Sequence, residues 1–194
     1  MQRTALRAAA DAERYAAIAA WGVHVVRALP LILIAATVSI AIAAAGDPGE
    51  AGADQAARFL ELYTTGKLHE AAQVLHCPET YTPDELKADR EAVARSLEIF
   101  VREFGRITSV AASNSNLYVA SMTACGTVPY WKEHPDTGTK TYETVNDSGD
   151  KGYVIFSFAE VGGRKVLSKF HQGLPASPDA IERVRRVLKL QMAK

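Results

Sequence analysis

TPDELKADREAVARSLEIFVREFG, residues Thr82–Gly105, divides the chain into a helical half and a strand-rich half. Thr82 stands where an N-cap belongs, Pro83 fits the first turn, Glu85 completes a capping box and Gly105 is the stop. Leu86, Val93, Leu97, Phe100, Val101 and Phe104 recur at helical spacing and predict one apolar, core-packing face.

Downstream of Gly105 the pattern becomes short β-rich runs separated by turns. Strands are expected over Arg106–Ala112, Leu117–Tyr130, Thr139–Val145, Gly152–Val161 and Lys165–His171. Pro135-Asp136-Thr137-Gly138, Asp147-Ser148-Gly149 and Gly162-Gly163 read as turns between them, the last a tight hairpin. Upstream, Ala56, Phe59, Leu60 and Tyr63 keep helical spacing, Thr64-Thr65-Gly66 interrupts, and Leu68, Ala71, Ala72 and Leu75 resume it. A last helix is expected from Ser177, a cap, to about Ala193, with Ile181, Val184, Leu188 and Met192 as its docking stripe. Its other face is basic through Arg183, Arg185, Arg186 and Lys189, read as solvated. Helices followed by a meander predict an α+β fold, with helices packed on one face of a curved antiparallel sheet.

Ahead of this domain lies an apolar run, Ala28–Ala45, of 18 residues without a charge. At 1.5 Å per residue it reaches about 27 Å, marginal for a bilayer core of roughly 30 Å. Arg3, Arg7, Arg14 and Arg27 precede it and Asp47, Glu50 and Asp54 follow it, so the positive side stays in the cytoplasm and the domain lies outside. Ala43-Ala44-Ala45 before Gly46 fits a signal-peptidase site, whereas the basic segment 1–27 is long for a leader. An alternative valine start at Val23 or Val25 removes that conflict. A cytoplasmic helix followed by a single-pass anchor is the competing reading. Residues 46–53 read as a linker and 54–194 as one extracytoplasmic domain, periplasmic or secreted if cleaved near Ala45 and membrane-tethered through 28–45 if not. No lipobox cysteine is present near Ala45.

Lys plus Arg and Asp plus Glu are equal at 22 each, which argues against nucleic acid as a partner. The two cysteines, Cys77 and Cys125, both follow the apolar run, and in an exported chain this predicts a disulfide. His76, His134 and His171 with these cysteines match no compact metal-ligand spacing, and Asn146–Gly152 lacks the register of a calcium loop, so no metal is expected. No phosphate loop or activated nucleophile is recognisable, and no cofactor or catalytic residue is assigned. Asn146-Asp147-Ser148 forms a glycosylation sequon, relevant only in a eukaryotic secretory host.

ARFLELYTTGKLHEAAQVL, Ala57–Leu75, resembles the opening of the nuclear-transport-factor-two-like (cystatin-like) superfamily, and the element order from about Asp54 to Leu174 is similar. That resemblance implies two short helices, a longer helix and a strongly curved sheet enclosing a conical pocket. In some envelope assemblies, such as the inner-membrane core of type IV secretion systems, a similar domain follows one membrane helix. Enzymes of the superfamily carry an Asp or Glu base in the cone. Here the strand carboxylates are chiefly Glu143 and Glu160, with Glu160 beside a turn, so a buried base is not evident. Ligand-pocket candidates are Tyr118, Tyr130, Trp131, Phe156, Phe158, Phe170 and His171, although aromatic residues at strand spacing more often build core. The expected role is non-catalytic binding of an envelope protein partner or a small apolar ligand, with a pocket enzyme of isomerase or hydrolase type as the alternative.

Overall fold

The computed structural model describes residues 51–115 and 117–193. The apolar run Ala28–Ala45 and the basic segment before it lie outside the described residues. Among those described, no helix is long and apolar enough to cross a membrane.

Helices α1 (Ala51–Thr64), α2 (Leu68–Val74) and α3 (Pro83–Phe104) precede the first strand. The first helix includes Ala51, so the end of the segment read as linker is helical. The caps of α3 form as its sequence requires. Thr82 Oγ1 accepts from the Glu85 N–H at 3.3 Å, and Glu85 Oε2 accepts from the Thr82 N–H at 2.9 Å. Gly105 ends the helix at φ +84°, where its N–H donates to the Val101 carbonyl and an added Cβ would lie 2.6 Å from Asn146 Nδ2.

The strands β1 (Ile107–Ser113), β2 (Tyr118–Ala124), β3 (Asp136–Asn146), β4 (Lys151–Val161) and β5 (Arg164–Pro175) form one antiparallel sheet in the order β1-β3-β4-β5-β2. Three expectations are corrected. First, β2 stops at Ala124: Gly126 turns the chain at φ +100°, Pro129 has no N–H for a ladder, and Val128–Glu133 is a short helix, α4. Second, the Pro135–Gly138 turn is replaced by the start of β3, with a register shift between Asp136 and Gly138, because α4 has already reversed the chain. Third, β5 runs past His171 to Pro175. Gly173 permits this, since a Cβ there would sit 2.2 Å from the Val119 carbonyl oxygen of the paired strand.

Helix α5 (Pro178–Met192) is capped by Ser177, whose Oγ accepts from the Ala180 N–H at 3.1 Å. Its docked face is Ala180, Val184 and Val187, continued by Gln191, whose amide reaches Ser121 and the Met122 carbonyl at 3.3 Å. Ile181 and Met192 of the expected stripe are exposed, so the helix is rotated about one residue from that reading.

The main core lies between the helices and one sheet face. Phe59 and Tyr63 of α1, Leu97 and Phe100 of α3, Val154, Phe156 and Phe158 of β4 and Phe170 of β5 are all buried there. A smaller cluster, Trp131 with Ala159, Val161 and Val166, covers one end of the opposite face.

Candidate functional site

The sequence-nominated aromatic residues separate into three places. Phe156, Phe158 and Phe170 are buried in the core, where Phe170 packs against Phe59 at 4.6 Å, Tyr63 at 5.1 Å and Phe156 at 5.5 Å between ring centroids. Their rings fill the interior that a conical pocket would occupy, because strand alternation directs all three toward the helices. Tyr63 donates a buried hydrogen bond to Gln172 Oε1 in the same region, and burial pushes the Tyr63 hydroxyl well above the usual phenol range. Among the described residues the buried positions include no carboxylate.

Tyr118 and His171 lie on the other sheet face. The Tyr118 ring lies beside that of Tyr153, tilted by 37° with centroids 5.6 Å apart. His171 Nε2 lies 3.3 Å from Ser157 Oγ. Burial of its ring pushes the His171 imidazole down to about 4, Lys169 adding to that effect and Asp136 opposing it. Lys169 is held by both Asp136 oxygens at 2.7 Å, and Ser168 Oγ donates to the same carboxylate at 3.0 Å. Ser157 is 2 % exposed, and an imidazole so weakly basic is a poor general base, so the Ser157–His171 contact is not arranged for attack on a substrate.

Tyr130 and Trp131 sit on α4 rather than on a strand. Trp131 Nε1 donates to the Cys125 carbonyl at 2.7 Å, and Tyr130 OH lies 3.0 Å from His76 Nε2. Both contacts fasten α4 to the Cys77–Cys125 disulfide, which the structure forms with a Cα–Cα separation of 4.9 Å. The bridge is consistent with an oxidising, extracytoplasmic location.

Beside this bridge opens a cleft of about 330 Å³. Gln55 of α1, the His76–Tyr81 loop and Leu86 and Arg90 of α3 line it. Several contacts fix the loop: the His76 N–H donates to the Leu167 carbonyl at 2.9 Å, and Asp89 Oδ2 accepts from the Gly126 N–H at 2.7 Å and the Tyr81 hydroxyl at 3.1 Å. Gln55 Oε1 accepts from the Leu167 N–H at 2.7 Å, and Glu79 pairs with Arg164 at 3.0 Å. Burial lowers the His76 pKa, with Arg164 and His134 adding to the shift and Glu79 opposing it, so its ring is neutral near pH 7.

The sequence reading did not single out Gln55, Glu79, Tyr81 or Arg90, and their separation along the chain explains why. Contacts between distant residues, the Cys77–Cys125 bridge and the Tyr81–Asp89 hydrogen bond among them, fix the loop there, and of these only the cysteine pair was readable in the sequence. Among the described residues no group of three or more His, Cys, Asp or Glu side chains is placed to hold a metal ion. No protein-family model, curated protein or solved structure matches the chain.

Proposed function

We propose that this chain is a non-catalytic extracytoplasmic binding domain of the cell envelope, which takes a protein partner in the cleft beside the Cys77–Cys125 loop. The observation that carries this reading is the contrast between an interior filled by aromatic rings and an open, polar-lined cleft with a covalently fixed wall. A filled interior disfavours a small apolar ligand, which would have to displace close-packed rings. For the isomerase or hydrolase alternative, the described residues offer no buried carboxylate, and the His171 imidazole is too weakly basic to serve well as a general base. The order of three helices, antiparallel sheet and final helix supports kinship with the nuclear-transport-factor-two-like superfamily. The residues before Ala51 deliver the domain across the membrane, as a cleaved leader or as a retained anchor through 28–45.

Site-directed photo-cross-linking in cells tests the reading. A cross-linker at Gln73 or Glu79 on the cleft rim is expected to give one discrete protein adduct, and the same group at Thr139 on the exposed sheet none. Absence of an adduct from both rim positions, or an identical pattern from Thr139, would overturn it.

A further inference from the structure

The cleft contains a guanidinium one of whose nitrogens is buried without a partner. Arg90 lines the cavity from α3, its Nε is buried, and that nitrogen has no hydrogen-bond partner. Among the described residues no ion pair joins a carboxylate to Arg90. A buried donor left unmade costs stability, and a charged one costs more, so such a group in a folded domain calls for an explanation. The nearby acids are already engaged: Asp89 holds Gly126 and Tyr81, and Glu79 holds Arg164. Gln55 commits its amide oxygen to the Leu167 N–H, which leaves its amide NH₂ as a second donor at the cleft wall.

We infer that the cleft is a binding site for a carboxylate group, received by the Arg90 guanidinium with the Gln55 amide as the supporting donor. A planar guanidinium fork matches a planar carboxylate in two parallel N–H···O bonds. The charge balance selects a monoanion. The lining has one arginine and no lysine, so it offers no second cation to a dianionic phosphate. The carboxylate belongs either to the end of a partner's chain or to a small organic acid. The inference rests on the cleft being the binding surface proposed above.

The test uses the ¹⁵N-labelled full chain in detergent and follows the side-chain Nε–Hε resonance of Arg90. The probes are acetate, inorganic phosphate, and one pentapeptide prepared with a free and with an amidated C-terminus. Acetate and the free-acid peptide are expected to move the resonance saturably, and the amidated peptide to leave it in place. A free-acid peptide that binds tighter than acetate assigns the site to a chain terminus; equal binding assigns it to small acids. No saturable shift with either, or a stronger response to phosphate, overturns the inference.

Arg90→Gln and Arg90→Lys are each expected to weaken acetate binding at least about tenfold, the lysine because it keeps the charge without the fork. Arg90→Met is expected to hold or raise the thermal midpoint of the unliganded chain, since it removes an uncompensated donor. A midpoint lowered by several degrees would instead make Arg90 a structural residue and overturn the inference. Acetate binding without any cross-linked partner would sink only the partner reading; a partner adduct unaffected by Arg90→Gln would sink only the carboxylate site.

Discussion

Asn146 donates from its side-chain Nδ2 to the carbonyl oxygen of Phe104 at 2.8 Å, joining the last residue of β3 to the last residue of α3. The same side chain accepts from the Ser148 N–H at 2.9 Å and the Asp150 N–H at 2.8 Å through Oδ1. One amide therefore terminates a helix and shapes the β3–β4 turn. Its burial also removes it as a glycan acceptor, although it heads an Asn-X-Ser sequon.

Asn146→Ala is expected to lower stability by about 1–3 kcal/mol, because the Phe104 carbonyl loses a buried donor. Gly105→Ala should cost a similar amount for a different reason: it forces an L side chain to φ +84° and into Asn146. Urea denaturation midpoints at constant slope measure both, and an unchanged midpoint in Asn146→Ala would refute the linkage.

The disulfide joins residues 48 positions apart. Replacing both cysteines with alanine should cost about 4 kcal/mol by the loop-closure relation, enough to matter against a typical domain stability of about 5–15 kcal/mol. Denaturation of the variant, compared with reduced and oxidised wild type, checks this. Matching reduced and double-variant midpoints are expected.

Tyr63→Phe should destabilise by about 1–3 kcal/mol by stranding Gln172 Oε1, and adding Gln172→Leu should restore part of the loss. The wild-type hydroxyl stays neutral in the fold beyond the point where the unfolded chain ionises. Its contribution is thus complete below the unfolded phenol value near 10 and declines as pH rises above it. A Tyr63→Phe double-mutant cycle read by urea denaturation tests the pairing.

His171 gives a slope on the acid side. Its folded pKa, about 4, lies below the ordinary value of 6.5, so the unfolded chain binds a proton first as pH falls. Stability is complete above about pH 6.5 and declines between there and pH 4, by about 1–2 kcal/mol allowing for partial exposure. His171→Asn should flatten this slope in urea midpoints taken from pH 4 to 7. A smaller slope of the same sign should remain, because the His76 pKa is also lowered.

Local signals were legible in the sequence and long-range ones were not. The Thr82–Glu85 box and the Gly105 stop are written into adjacent residues, and α3 forms where they say. The Gly162-Gly163 hairpin and the cysteine pair were equally readable. The strand ending at Tyr130 failed because apolar composition outweighed Gly126 and Pro129, the two residues unable to continue it. The last strand was expected to stop at His171, and the close approach of Val119 explains why Gly173 belongs inside it. Arg90 gave no signal, since an arginine on a capped helix looks solvated until the loop folds over it.

The sheet order places β1 and β2, neighbours in the chain, at opposite outer edges, with β3, β4 and β5 between them. Neither early strand has a partner until later residues arrive: β1 waits for β3 and β2 for β5. A chain emerging from its N-terminus therefore keeps two unpaired edges waiting for its C-terminal third. Closing its last edge waits on the end of β5, and truncation before Lys169 would leave β2 with no partner in the sheet.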